Sequence, residues 1–267
     1  MVTSGNCKLC NKMYKKRYFT RHIKSCSKKN LNGQKSGYIV NIYYNNDYWL
    51  YLYLPKEIIL SDIDKYLRKI WLECCGHLSI FRIDNKIYNS QYLYLNSDIS
   101  DSDSITIGSD KELFTLQLDQ NSDSIITSSS NEEDIYDCYI DDQELNMSAC
   151  INNIFKENMI CDYEYDMGST TSLKLKVLLT CNSNLDEITL LAKNSLPQFP
   201  CEKCKKDAVY ICTECQNMYC NICLRTLKFH NCINGFNEYY ENIEDYLTDC
   251  IAKLDINSPR VGVCSYE

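Results

Sequence analysis

The stretch Tyr38-Ile39-Val40-Asn41-Ile42-Tyr43-Tyr44-Asn45-Asn46-Asp47-Tyr48-Trp49-Leu50-Tyr51-Leu52-Tyr53-Leu54-Pro55 decides the fold. β-Branched and aromatic residues fill both flanks, Asn45-Asn46-Asp47 supplies turn chemistry, and Pro55 closes the second flank, so the segment reads as a β-hairpin. Downstream, Ser61 and Asp64 have the spacing of a capping box, and Ile63, Leu67, Ile70 and Trp71 follow at helical intervals. Leu78 to Ile83 and Lys86 to Tyr88 flank Asp84-Asn85 as a second hairpin. Leu145, Ala149, Ile151 and Ile154 predict a short helix. Met159 to Tyr165 and Ser172 to Leu179 alternate as strands around Asp166-Met167-Gly168-Ser169, and Leu190 to Ala192 add a last one. Residues 37–196 therefore read as one α+β domain, interrupted at 97–144.

Charge is distributed unevenly. The net charge is −8, yet residues 1–36 carry ten Lys or Arg and no acid, whereas 97–144 carry fourteen acids, one Lys and ten Ser. A basic arm is an electrostatic footprint for phosphates, and an acidic, Ser-rich block reads as a solvated, disordered insertion. The chain of 267 residues is long enough to bury a core. It lacks Gly-x-Gly, the phosphate-cradling Gly-x4-Gly-Lys-Ser/Thr and His-Glu-x-x-His, which removes the common dinucleotide, nucleotide and zinc-protease signatures. No apolar run reaches the roughly 18 residues of a membrane span. Cys7 is reached without an apolar leader. The expected setting is intracellular and reducing, cytoplasm or nucleus, where 18 cysteines point to metal rather than disulfides.

Two motifs carry that metal chemistry. Cys7-x2-Cys10-x11-His22-x3-Cys26 has the spacing of a ββα zinc finger whose last His is replaced by Cys, with Tyr14 and Phe19 as its small apolar core. Lys15, Lys16, Arg17, Arg21 and Lys24 would give it phosphate affinity without sequence choice, for DNA or RNA. A protein-contact module with a solvated basic face is the competing reading. The second motif, Cys201-x2-Cys204-x7-Cys212-x2-Cys215-x4-Cys220-x2-Cys223-x6-His230-x-Cys232, offers eight ligands for two closed zinc sites within residues 197–235. In a cross-brace, Cys201, Cys204, Cys220 and Cys223 share one ion, while Cys212, Cys215, His230 and Cys232 share the other. A sequential pairing would join Cys201/Cys204 to Cys212/Cys215 instead. The spacing resembles B-box fingers, which are cross-braced. It fits a ubiquitin-ligase RING less well, because His230 stands second to last. Three structural zincs are expected in all.

The segments Leu67-Arg68-Lys69-Ile70-Trp71-Leu72-Glu73-Cys74-Cys75-Gly76-His77-Leu78-Ser79, Tyr163-Glu164-Tyr165-Asp166-Met167-Gly168-Ser169-Thr170-Thr171 and Asn257-Ser258-Pro259-Arg260-Val261-Gly262-Val263-Cys264-Ser265-Tyr266 carry a family resemblance. They resemble the Ri-plasmid open-reading-frame-three-like, or transposon-passenger, proteins over residues 37–96 and 145–267. The resemblance implies a compact, β-grasp-like α+β core and no defined activity. The finger and the acidic insertion are additions to the simplest family pattern. Abundant Asn, Ile, Lys and Tyr also resembles proteins of AT-rich genomes, large DNA viruses among them.

Other residues suggest chemistry of a different kind. Cys74, Cys75 and His77 read first as packing at a helix end; a metal site completed by Cys264 and a thiol nucleophile are the alternatives. Glu164 and Asp166 could pair as acid and base, but a turn with Asp166 bonded to local backbone is the simpler reading. Arg260 could anchor the tail through a carboxylate. Ile243, Tyr246, Leu247, Cys250 and Leu254 mark an amphipathic helix in the segment 236–267, stopped before Pro259. Taken together the sequence predicts a zinc-binding adaptor without catalytic residues, docking a protein partner through the double-zinc module. The alternative is a nucleic-acid-binding regulator using the finger, and a Cys-dependent enzyme comes third.

Overall fold

The computed structural model describes residues 3–90, 144–226 and 250–264, with two short strands at 106–107 and 114–115. In chain order the elements are β1 (Ser4–Cys7), β2 (Met13–Lys15), α1 (Lys16–Asn30), β3 (Lys35–Tyr44), β4 (Tyr48–Pro55), α2 (Leu60–Leu67), β5 (Ser79–Ile83) and β6 (Lys86–Asn89). Then come β7 (Thr106–Ile107), β8 (Phe114–Thr115), β9 (Glu144–Asn146), β10 (Ile160–Tyr165), β11 (Thr171–Ser183) and β12 (Thr189–Asn194). The last are β13 (Tyr210–Cys212), β14 (Met218–Tyr219), α3 (Asn221–Thr226) and β15 (Ile251–Lys253). The chain is a mixed α/β protein, mostly strands in one large sheet with few helices. That sheet has the order β2-β1-β12-β4-β3-β11-β10-β5-β6-β9, antiparallel throughout except for the β6–β9 pair. The short pair β7–β8 lies within the acidic segment, and the remainder of 97–143 falls outside the described residues.

The Tyr38–Pro55 stretch forms the expected hairpin, in register from Gly37↔Pro55 to Tyr44↔Tyr48. Alternation sends its residues to opposite faces. Tyr38, Val40, Ile42, Leu50, Leu52 and Leu54 pack with Leu60, Ile63 and Leu67 of α2 and with Trp71. Ile39, Trp49, Tyr51 and Tyr53 face the other way and pack with Phe19 and Ile23 of α1. Every residue of β4 is buried, which is why its sequence runs apolar on both faces rather than on one.

The zinc-finger-like segment is thus a layer of the main body. β1 pairs with β2 and also with β12, from Gly5↔Asn194 to Cys7↔Ala192. A Cβ on Gly5 would lie 2.4 Å from the Lys193 carbonyl oxygen and 2.5 Å from the Trp49 ring, so this seam closes only on glycine. The polar stretch 27–36 is helix to Asn30 and strand from Lys35, with Ser27 and Leu31 buried.

Three local expectations are corrected. The N-terminal cap of α2 is made by Asp62, whose carboxylate accepts the Ile59 N–H at 3.1 Å, and not by the Ser61–Asp64 pair. Residues 145–154 do not form the expected helix. Met147 and Ala149 carbonyls accept the N–H groups of Ser61 and Leu60, and Ile151 donates to the Ile58 carbonyl, so the segment runs as a short strand, a turn and one 3-10 turn at Ile151–Asn153. The helix expected through Cys250 and Leu254 lies mostly outside the described residues. Its described end is strand β15, which joins β13 and β14 in a small sheet of its own. No helix among the described residues is long and apolar enough to cross a membrane.

Candidate metal centres

One backbone device recurs three times. After Cys7-x2-Cys10, the Cys7 N–H donates to the Lys12 carbonyl, the Asn11 N–H returns to the Cys7 carbonyl, and Asn11 has φ 56°. After Cys201-x2-Cys204, Cys201 donates to Lys206, Lys205 donates to Cys201, and Lys205 has φ 60°. After Cys212-x2-Cys215, Cys212 donates to Asn217, Gln216 donates to Cys212, and Gln216 has φ 59°. Each turn places two thiols on one side of a tight reversal, as a metal knuckle requires. Holding Lys205 and Gln216 in left-handed backbone is unusual for such residues.

In the amino-terminal group, Cys7, Cys10, His22 and Cys26 place their ligand atoms within 4.8 Å of one another. Cys10 Sγ lies 3.5 Å from His22 Nε2, and Cys7 Sγ 3.9 Å from Cys26 Sγ. The β1–β2 knuckle supplies one pair of ligands and α1 the other. Tyr14 stacks on the His22 ring at 3.8 Å, and Asn30 Nδ2 donates to Cys26 Sγ at 3.2 Å, both fixing the ligands from outside. Burial, then the neighbouring Cys7, pushes the Cys26 thiol up to about 12, so metal capture here must release a proton.

In the carboxy-terminal module, Cys201, Cys204, Cys220 and Cys223 form a second such group. The first cysteine pair therefore meets the third, as in a cross-brace, with Cys204 Sγ 3.6 Å from Cys220 Sγ. Burial works against ionisation of Cys201, but the N–H groups of Cys204, Cys220 and Lys203 outweigh it and hold the thiol down at about 6. Cys212 and Cys215 keep their knuckle, and their expected partners His230 and Cys232 lie outside the described residues. The module's apolar clusters are small, one of Tyr219 and Leu224 among the cysteines and one of Ile211, Ala252 and Val261.

No family model matches the chain, and no curated protein matches it. Among solved structures it is similar to MM3350 from Methanosarcina mazei Go1, described as a protein of unknown function. That likeness has 12% identity and a TM-score of 0.37 over 60% of this chain and 70% of the other, too slight to bear on fold or function.

A third group combines Cys74, Cys75 and His77 with Cys264. Cys74 packs against the main core, whereas Cys75 and Cys264 are exposed and His77 is half-buried. The Cys75 thiol is pushed up to about 12, first through its hydrogen bond with Cys264, which is the opposite of what a nucleophile needs. The sequence offered this group only as an alternative, because its fourth ligand stands 189 residues from Cys75.

Around it is a dense polar network. Arg260, fully buried, donates from Nη1 to the Ser169 carbonyl and Thr171 Oγ1 and from Nη2 to Asp166. Asp166 in turn accepts the Gly168 and Ser169 N–H groups, so both the expected turn and the expected tail anchor occur at one carboxylate. Glu164 reaches Arg82 instead and takes no part. Arg68 and Arg260 lie on the Tyr165 ring at 4.8 and 4.9 Å. Arg68 also binds the buried Asp64, which accepts Ser79 Oγ and Tyr163 Oη.

The basic residues of the finger separate by role. Arg17, Arg21, Lys24 and Lys28 fall at intervals of four, three and four along α1, one stripe opposite the buried Phe19, Ile23 and Cys26. Arg17 also stacks on the exposed Tyr18 at 4.6 Å. Lys15 is exposed on β2. Lys16, also expected among the phosphate-binding residues, donates to the Asn45 carbonyl at 3.0 Å and to Asn46 Oδ1 at the β3–β4 turn. Lys28, outside the expected set, completes the stripe.

Proposed function

We propose that the protein is a zinc-binding adaptor whose ions are structural. The observation that carries this reading is the quartet Cys201, Cys204, Cys220 and Cys223, four thiols drawn within 4.8 Å of one another. Four thiolates at that spacing suit tetrahedral zinc and leave no coordination position for water or substrate. Beside them the module turns Val209 and Ile222 outward, Ile222 at 70% exposure between two ligand cysteines. Apolar side chains on a metal-stiffened surface suit a protein partner. The test is proximity labelling with the full chain and with a Val209→Asp/Ile222→Asp variant of unchanged zinc content. A protein neighbour that the variant no longer labels supports the reading; identical neighbours in both defeat it.

The runner-up is nucleic-acid binding through the finger, favoured by the Arg17–Arg21–Lys24–Lys28 stripe. Substituting all four with Gln would weaken binding to duplex DNA or RNA and flatten the log–log salt slope by about 0.9 for each phosphate no longer neutralised. An unchanged slope removes this reading.

Kinship with the Ri-plasmid open-reading-frame-three-like proteins belongs to the same proposal. Its support is spatial. The three segments that carry the resemblance, far apart in sequence, supply Arg68, Tyr165, Asp166 and Arg260 to one network. A β-grasp-like core fits helix α2 packed on one face of an antiparallel sheet.

A further inference from the structure

The geometry points to a further metal site, made by Cys74, Cys75, His77 and Cys264, that clasps the carboxy-terminal tail to the core. Cys75 Sγ lies 2.9 Å from His77 Nε2, 3.3 Å from Cys264 Sγ and 3.6 Å from Cys74 Sγ, and His77 Nε2 lies 3.4 Å from Cys264 Sγ. Tetrahedral zinc, with Zn–S near 2.3 Å and Zn–N near 2.0–2.1 Å, sets ligand–ligand edges of about 3.5–3.8 Å. The Cys10–His22 and Cys204–Cys220 edges of the two motif-bearing groups, 3.5 and 3.6 Å, are of the same size. Three soft sulfurs and one imidazole select zinc over hard cations.

The surroundings are those of a built site. Glu73 Oε1 accepts the Gly76 N–H at 2.6 Å, and Gly76 has φ 76°; this bends the chain so that Cys75 and His77 face one point. Arg260 Nη2 approaches Cys74 Sγ at 3.6 Å and Tyr165 Oη approaches it at 3.9 Å, so outer groups hold the ligand as they do in known zinc centres. Three thiolates and a divalent ion leave one negative charge, which Arg260 offsets. Asp166 Oδ2, 3.6 Å from His77 Nε2, is the neighbouring carboxylate, and it is already engaged by Arg260.

The site would close a long circuit. From the core the chain passes through the cysteine module and returns as β15, paired to β13. Ser258 then donates to the Trp71 carbonyl, Arg260 enters the core, and Gly262 passes so close to Ile211 of β13 that a Cβ there would lie 2.9 Å from it. Gln216 Nε2, in the second knuckle of the module, donates to the Gly262 carbonyl at 2.8 Å. A metal joining Cys264 to Cys75 fixes the tail last, and with it the placement of the module on the core. The competing state is a Cys75–Cys264 disulfide, which would need an oxidant to remove two electrons and two protons.

The test is elemental analysis of the full chain, purified under reducing conditions with zinc present, as wild type, Cys264→Ser, His77→Ala and His77→Cys. Cys264→Ser and His77→Ala should each lose one metal equivalent, and His77→Cys, which restores a soft ligand, should keep it. The cobalt-loaded wild type minus Cys264→Ser should give a tetrahedral thiolate–cobalt difference spectrum. Equal metal content in all four proteins, or a Cys75–Cys264 disulfide in native protein by mass spectrometry, overturns the proposal. Its failure is separable from that of the adaptor reading: the first shows in metal content, the second in an unchanged set of labelled neighbours at constant metal.

Discussion

The amino-terminal finger and the carboxy-terminal cysteine module share a knuckle but not a support. Phe19 and Ile23 of the finger are fully buried against Trp49 and Tyr51, and β1 continues the main sheet through β12. The module has its own three-stranded sheet and gathers Tyr219 and Leu224 among its cysteines. An isolated finger of this size draws its folding free energy from metal. Here the large sheet gives the first knuckle a support besides any bound metal, whereas the second and third knuckles rest on the module's smaller apolar clusters. The same local motif can therefore be a staple in one place and a foundation in another.

The largest effect should come from chelation. Structural zinc contributes on the order of 10–16 kcal/mol in finger peptides, so removing metal should bring residues 201–226 to unprotected hydrogen exchange while Phe19 and Ile23 amides stay protected. Loss of protection in α1 together with the module would break the comparison. Next in size, Phe19→Ala should lower global stability by about 3–5 kcal/mol, read as a single shifted urea transition. A separate early transition for the finger would show that it is not a layer of the core. Gly5→Ala should cost about 1–3 kcal/mol, since its methyl would meet the Lys193 carbonyl and Trp49; a neutral result would mean that the β1–β12 seam is loose.

The smallest prediction concerns Lys193, whose residue pairs with Asn6 and Leu50 at that seam. Burial lowers its ammonium from 10.5 to about 8. Between those values the unfolded chain holds a proton that the folded chain has lost, so stability rises as pH climbs from about 8 towards 10.5. Lys193→Met should be more stable than wild type at pH 7, and the difference in urea midpoint should shrink through that window. A pH-independent difference would place Lys193 in water.

Much of this was readable from residues. The hairpin of Tyr38–Pro55 announced itself because β4 is apolar on both faces, and the ligand spacings of both metal motifs are local and rigid. Arg260 as a tail anchor and Asp166 as a turn residue followed from side-chain chemistry alone. What stayed hidden depends on partners distant in sequence. Nothing in Ser4–Cys7 says that its outer edge pairs with Leu191-Ala192-Lys193-Asn194. The helical spacing of Leu145 to Ile154 was overridden by hydrogen bonds to residues 58–61, which no local pattern records. The meeting of Cys75 and Cys264 was legible only as one alternative, since it rests on a tail that Arg260 and Ser258 hold across the core.

The sheet ends where its strands are shortest. β11 spans thirteen residues, but the terminal strands β2 and β9 span three each. Unpaired strand edges invite other chains to add on, and short or Lys-bearing edges discourage them. Among the described residues the sheet offers a second molecule three residues at either end, with Lys15 at one of them. A neighbouring molecule adding on to this sheet would thus find only a three-residue strand to pair with at either described end.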